Sequence, residues 1–216
     1  SSNSNSEVNN TISVTGIGSV ERGSSMVETE ISVVTEVTTE IGADGAIERN
    51  SEKTNRVIQA LKEIGISEDD IETTRFDLSV KRTYEGRNEI TGYRVIHTLN
   101  VETSDLKGVG KMIDVAVDAG ANQIGSIRYT FSKEESRELE ALARTRAAED
   151  ARDKAEAIAE SLEVKITGVA RVSEGYQSYP VWEDVSPRES KSGSTTIMPP
   201  TNLEKVVNLN VVFTIE

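Results

Sequence analysis

A stripe of one leucine and five alanines, repeated every four positions in the second half of the chain, restricts the fold more than any other feature. Its members are Leu139, Ala143, Ala147, Ala151, Ala155 and Ala159. Residues four apart share one face of an α-helix, and Ser132 followed by Glu135 forms a capping box that marks a helix start. The sequence therefore predicts a long alanine-rich helix, ending near Leu162, whose small side chains let it pack closely on a sheet or another helix.

Two strand-strand-helix units are predicted before this helix. In the first, apolar and polar residues alternate over residues 12–20 and again over 31–37, after a break at Glu21-Arg22-Gly23. A helical pattern over residues 50–64 then ends at Gly65. The alternation predicts a hairpin-like pair of strands followed by a helix.

The second unit repeats this order with a clearer hairpin. Apolar residues alternate from Phe76 to Val80, a turn occupies residues 85–88, and the alternation returns from Tyr93 to Val101. A helical pattern over residues 104–119 ends at Gly120.

The C-terminal part departs from this repeat. Strands are predicted over residues 123–131 and 164–173, on either side of the long helix. An irregular excursion is predicted at 175–203, because it contains all four prolines of the sequence, Pro180, Pro187, Pro199 and Pro200. Strict alternation from Val207 to Ile215 predicts a last strand that pairs inside the sheet. The excursion is therefore predicted to be a long connection between the two strands of a hairpin, and not a tail.

These patterns predict an α+β fold, with antiparallel sheet backed by helices, over residues 12–216. Residues 1–11 are mostly Ser and Asn and are predicted to be a disordered tether. Such a start is typical of the stub left after removal of a secretory or lipoprotein leader, and a cloning remnant is the alternative. A processed leader implies export to the periplasm, the cell surface or the medium, and would be compatible with a lipid anchor lost from the start of the sequence.

Charge and composition exclude several classes of function. The 24 Lys plus Arg against 37 Asp plus Glu give a net charge of -13, which repels nucleic-acid phosphates and anionic lipids. The chain has no cysteine, which excludes thiol nucleophiles, disulfides and thiolate metal sites. No apolar run approaches the roughly 20 residues of a membrane-spanning helix.

The residue types that carry catalysis or bind metals stand in no recognisable motif. His97 is the only histidine and lacks a second ligand or a Ser-His-Asp setting, so we expect a structural, hydrogen-bonded side chain. The acidic run Glu68-Asp69-Asp70 lacks the spacing of a calcium loop and fits the N-terminus of a helix. Gly16, Gly18 and Gly23 are followed by a second strand, whereas a dinucleotide-binding loop must open a helix, so they form no such loop.

The glutamates of the long helix are predicted to form its solvated face: Glu134, Glu135, Glu138 and Glu140. A hydrolase site made of two carboxylates stays open as an alternative, although none of these residues has an apolar, aromatic setting. No catalytic residue, cofactor or metal ligand is assigned from the sequence.

The excursion holds the candidate interaction residues. It concentrates aromatic and apolar side chains in a polar, proline-rich segment of a chain with only 4% aromatics: Tyr176, Tyr179, Trp182, Ile197 and Met198. Aromatic anchors are favoured at interfaces, with Trp182 as the expected main anchor. The alternative is that the loop folds back and covers the edge of its own sheet.

Several segments together resemble the SIMPL-domain family, which includes bacterial periplasmic immunogenic proteins and proteins linked to oxidative-stress defence. They are ISVTGIGSV at 12–20, LKEIGI at 61–66, DIET at 70–73, GYRV at 92–95, GANQI at 120–124 and ARTRA at 143–147. The resemblance implies an α+β fold, export to the cell envelope or beyond, and self-association. It implies no catalytic residues.

The resulting functional hypothesis is a non-enzymatic envelope or secreted protein that acts through homo-oligomerisation or contact with a protein partner, with a link to stress defence. The rival hypothesis is a hydrolase or redox-protective enzyme with a carboxylate site. A pocket holding two converging carboxylates would favour the rival.

Overall fold

The structure, a computed structural model, describes residues 10–84, 88–181 and 193–216. Its strands are β1 (Thr11–Arg22), β2 (Met26–Thr38), β3 (Ile71–Arg82), β4 (Ile90–Thr103), β5 (Gln123–Thr130), β6 (Ile166–Val181) and β7 (Asn202–Ile215). Its helices are α1 (Gly42–Glu63), α2 (Val109–Ala119) and α3 (Lys133–Leu162). All strand pairs are antiparallel, which confirms the predicted α+β class.

The chain forms two compact units. The described residues of the first are 10–23, 131–181 and 200–216, and those of the second are 24–84, 88–130 and 193–199. The first unit holds a three-stranded sheet in the order β1-β7-β6, with α3 packed on β1 and β7. The second holds a four-stranded sheet in the order β3-β4-β2-β5.

Helix α3 of the first unit is confirmed as predicted. The Ser132 side chain accepts a hydrogen bond from the Glu135 amide at 3.2 Å, so Ser132 caps the start of the helix as predicted. The buried positions of α3 are Leu139 and the five stripe alanines that follow it. Two glycines of β1, Gly16 and Gly18, lie against this stripe and leave no room for a Cβ atom.

The second unit has a larger apolar core, in which α1 and α2 pack against each other and α1 packs on β2 and β4. Its fully buried side chains include Ile31 of β2, Leu61 of α1, Leu99 of β4 and Met112 of α2. Both helices end where the sequence predicts, because Gly65 and Gly120 adopt the positive φ angles that close a helix C-terminus. Helix α1 begins earlier than predicted, at Gly42, and no side chain caps that end.

The predicted hairpin between the first two strands is wrong. Strand β1 pairs with β7, whereas β2 pairs with β4 and β5. The period-2 pattern identified both strands correctly, but it carries no information on which strands pair. The β3–β4 hairpin and the β6–β7 pair are confirmed.

The excursion is more regular than predicted. Residues 175–181 continue β6 along β7, so irregular structure does not begin at Gly175. Pro180 is tolerated because β6 lies at the edge of its sheet, where a missing N–H breaks no ladder bond. Of the rest, 193–201 precedes β7, while Trp182 and Pro187 lie outside the described residues.

None of the helices in the described ranges has the length and apolar character needed to cross a bilayer.

Candidate interaction surface

Strand β6 forms one edge of the sheet in the first unit. It is 16 residues long and pairs only with β7 among the described strands. Opposite residues of an antiparallel pair share a face, so Val169, Val172 and Tyr176 project on the helix side, across from Phe213, Val211 and Val207. These three β6 side chains are nevertheless 50%, 54% and 44% exposed, because α3 covers β1 and β7 and scarcely reaches β6. We call them the β6 stripe.

Lys205 fixes the tyrosine of this stripe. Its Nζ is buried, donates hydrogen bonds to the Ser136 and Tyr176 hydroxyls, and lies 3.5 Å from Glu140 Oε1. The same Nζ is 4.7 Å from the centroid of the Tyr176 ring, a distance at which a cation attracts the ring face. Lys205 therefore fixes the position of Tyr176, while almost half of the tyrosine stays exposed to solvent.

A bidentate ion pair also ties β6 to α3. Arg144 reaches Glu174 with Nε at 3.0 Å and Nη2 at 2.8 Å from Oε1. Glu174 lies between Val172 and Tyr176 on the same face of β6, opposite Leu209. The pair interrupts the apolar stripe with charge and fixes its backbone relative to the helix.

The opposite edge of this sheet is covered. Three α3 side chains hydrogen-bond to the free backbone edge of β1: Asp150 accepts from the Ile17 amide at 2.8 Å, Lys154 donates to the Thr15 carbonyl at 2.9 Å, and Arg146 donates to the Ser19 carbonyl at 2.7 Å. Paired backbone groups cannot recruit another strand. The β6 edge has no such hydrogen bonds within the described part of the chain.

Tyr179 does not extend the β6 stripe. It lies three residues from Tyr176 and opposite Glu204, so it projects from the other face of the sheet, where its hydroxyl contacts Gln177. The two tyrosines that the sequence grouped with Trp182 therefore belong to two different surfaces.

Ile197 and Met198 belong to the second unit and differ in environment. Thr195 anchors their segment on α2, because its hydroxyl and amide donate to the Asp114 carboxylate at 2.6 and 3.1 Å. Both hydrogen bonds lower the pKa of Asp114, and the one from the hydroxyl has the larger effect. Ile197 packs against the core while Met198 is exposed, so within this pair only Met198 is available to a partner.

The second unit carries its own uncovered apolar stripe, on β3. Phe76, Leu78 and Val80 project on the helix side of this edge strand and are 49%, 40% and 43% exposed. We call them the β3 stripe. The sequence identified these residues as one apolar phase of a strand but not as a surface, since covered and uncovered strands have the same periodicity.

His97 lies beside the β3 stripe in a packed environment. Its Nε2 is 2.8 Å from the Thr73 hydroxyl, and its ring meets Phe76 edge-on at 5.5 Å. Burial lowers the pKa of His97, which favours the neutral ring. Within the described ranges, no three His, Asp or Glu side chains converge as a metal site would require.

The acidic candidates are spread over the surface of their elements. Glu68–Asp70 forms one turn of 3-10 helix without a side-chain cap, and Glu68 lies 3.5 Å from Lys62. On α3, Glu134 and Glu138 are exposed as predicted, whereas Glu135 and Glu140 are half-buried, because they lie beside the Ser132 cap and Lys205 respectively. The described geometry offers the two strand edges with exposed apolar side chains, β6 and β3, as candidate contact surfaces.

Comparison with known proteins identifies related sequences. The model of the SIMPL family, described as a protein of unknown function (DUF541), matches residues 12–213. The chain is 31% identical over 169 residues to the 26 kDa periplasmic immunogenic protein of Brucella abortus (strain S19). It is equally similar to the protein of that name from Brucella melitensis biotype 1. Each alignment covers 76% of this chain and 66% of the relative's length.

Proposed function

Because this chain belongs to the SIMPL family, we propose that it is a non-enzymatic, exported envelope protein that acts through self-assembly or contact with a protein partner. The names of the two relatives support export, since both are called periplasmic immunogenic proteins. We extend the proposal to stress defence. The protein would protect by binding another protein and not by thiol redox chemistry, because this chain has no cysteine.

The observation that carries the proposal is the pair of uncovered edge strands, one in each unit. Strands β6 and β3 are 16 and 12 residues long, and each carries an apolar stripe beyond the reach of its helices. Native proteins usually protect such edges, as α3 does for β1, because unpaired backbone groups next to apolar side chains recruit further strands. Two unprotected edges in one chain therefore support assembly.

The test is light scattering of the full chain after size-exclusion chromatography, from micromolar down to nanomolar concentration. A mass above that of one 23.5 kDa chain, decreasing on dilution, is the expected result. A chain that stays monomeric throughout, and that captures no envelope protein when used as bait on periplasmic extract, contradicts the proposal.

A matched pair of variants tests whether the β6 edge is one of the assembly surfaces. Val172 and Ile17 are 54% and 53% exposed on the two edge strands of the same sheet, but only the Ile17 edge is covered by α3. Val172→Asp is expected to weaken assembly by about tenfold, since a charge in a desolvated contact costs about 1.4 kcal/mol or more. Ile17→Asp is expected to leave the mass unchanged.

A further inference from the structure

The middle of β3 is a regular strand with a free edge. Register shifts lie between Thr73 and Arg75 and between Lys81 and Arg82, so residues 75–81 pair one-to-one with β4. The other edge of β3 pairs with no strand in the described part of the chain. Its side chains alternate between the β3 stripe on one face and Arg75, Asp77, Ser79 and Lys81 on the other.

We propose that β3 pairs antiparallel with β3 of a second copy of this chain, about a two-fold axis that passes through Ser79. The inference rests on the proposed self-assembly and names one surface for it. In this register Ser79 faces Ser79 of the second copy, residue 77 faces residue 81, and residue 78 faces residue 80. Each contact occurs twice, because a two-fold interface is self-complementary.

Charge selects this register. Asp77 of each copy faces Lys81 of the other, which gives two opposite-charge pairs. An axis through Asp77 would place that carboxylate opposite itself, and an axis through Leu78 would place Arg75 opposite Lys81. Like charges directly opposite each other destabilise a strand pair. An axis through Phe76 matches Arg75 with Asp77, but the pairing meets the extra residue at the Thr73–Arg75 register shift after a single step.

The apolar side chains fit the same register. Leu78 of each copy faces Val80 of the other, and Phe76 faces Arg82, whose guanidinium can stack on the ring. The two exposed β3 stripes thus meet side by side and shield each other from water. Two four-stranded sheets become one continuous sheet, and both copies lose an unprotected edge.

The ion pairs that these residues make within one copy are compatible with the proposal. Lys81 Nζ is 2.8 Å from Glu36 Oε2, and Arg75 Nη2 is 3.2 Å from Asp77 Oδ2, with all four side chains well exposed. Glu36 lies on β2, two strands in from the free edge, so Lys81 must leave Glu36 to reach Asp77 of the second copy. Exposed ion pairs contribute little to stability, so this exchange costs little. The Asp77 carboxylate accepts several hydrogen bonds and can keep Arg75.

Cysteine cross-linking tests the axis. The chain has no cysteine, so Ser79→Cys introduces a single thiol. In the proposed dimer this thiol faces the same thiol of the second copy across the axis. Oxidation is expected to yield a covalent dimer in most of the protein. Asp77→Cys is the control, because that thiol faces Lys81 of the second copy and its symmetry mate lies beyond disulfide reach. Equal cross-linking of both variants, or of neither, overturns the register.

Charge exchange provides a second test. Asp77→Lys and Lys81→Asp each replace two attractive pairs by two repulsive ones, so each variant alone is expected to dimerise about tenfold or more weakly. A mixture restores both pairs, and native mass spectrometry of tagged copies is expected to show a heterodimer. Thermal melts verify that both variants are folded.

The outcomes separate the two proposals. A wild-type chain that is monomeric at all concentrations contradicts this pairing and self-assembly together. A wild-type chain that assembles, with no heterodimer in the mixture and no Ser79→Cys cross-link, overturns the β3 pairing and leaves self-assembly through another surface in place.

Discussion

Gly18 of β1 lies directly against the Ala143 carbonyl of α3, so closely that a Cβ atom at Gly18 would be 1.9 Å from that oxygen. Gly16 meets the Ala147 carbonyl in the same way, one helical turn further along. The alanine stripe and the two glycines are therefore two halves of one contact. Helix and strand approach each other backbone to backbone because neither carries a side chain that would hold them apart.

Replacement of Gly18 by Ala is expected to destabilise the first unit by about 3 kcal/mol, because backbone atoms cannot move aside as a flexible side chain would. Urea denaturation followed by circular dichroism measures the loss. Gly23→Ala is the matched control, since its Cβ would meet no atom closer than 4.0 Å. Equal stability of the two variants would refute the close contact.

Replacement of Lys205 by Met is expected to reduce the free energy of unfolding by about 2 kcal/mol or more, because Ser136, Tyr176 and the half-buried Glu140 lose a charged donor. Tyr176→Phe keeps the ring under the cation and removes one hydroxyl, so a loss of about 1 kcal/mol is expected. Chemical denaturation compares the two. A Lys205→Met variant as stable as wild type would show that the lysine does not fix the β6 stripe.

Replacement of Asp114 by Asn is expected to release the segment around Thr195 from α2. The Thr195 hydroxyl and amide hold the pKa of Asp114 below its ordinary value of 3.8. The stability that these hydrogen bonds give the folded state is therefore complete above pH 3.8 and is lost as the pH falls through the lower, folded-state pKa. Asn mimics the protonated acid at neutral pH. Hydrogen–deuterium exchange should be faster over residues 193–199 in Asp114→Asn and unchanged in Asp118→Asn, one turn along on the exposed side of α2.

Replacement of His97 by Gln is expected to preserve any activity found for the protein and to alter the pH dependence of its stability. Burial lowers the pKa of His97 from 6.5, so the folded state binds the proton less tightly than the unfolded chain does. The stability that comes from burying the neutral His97 ring is complete above pH 6.5 and declines as the pH falls towards the folded-state pKa. Urea midpoints at about pH 7.5 and about pH 5.5 should differ less in His97→Gln than in wild type. An identical difference in both proteins would mean that His97 does not titrate with unfolding.

Local patterns predicted the parts of this protein that depend on nearby residues. The Ser132–Glu135 cap, the buried stripe of α3 and the β3–β4 hairpin all arise from interactions within a helical turn or across one short connection. The proposed interaction surface stays a prediction, and the structure places its residues in different environments. Of the five residues proposed for an interface, Tyr176 lies in an exposed stripe and Tyr179 on the other face, Ile197 packs in a core, Met198 is exposed and Trp182 lies outside the described residues.

The sequence by itself determined most of the helices and strands and the apolar face of each, because 3.6-residue and two-residue periods are properties of the local backbone. It missed the first turns of α1 and the end of β6. Only the tertiary structure decided that β1 and β2 belong to different sheets and which strands become edges. Strand β1 pairs with β7, at the far end of the chain, and not with β2, which follows it directly. The long separation is only a small disadvantage, because the entropic cost of closing a loop grows only logarithmically with its length. The same sheet order leaves β3 and β6 at edges beyond their helices, so Phe76, which alternates with polar residues as a core residue would, and Val172 both lie at the surface.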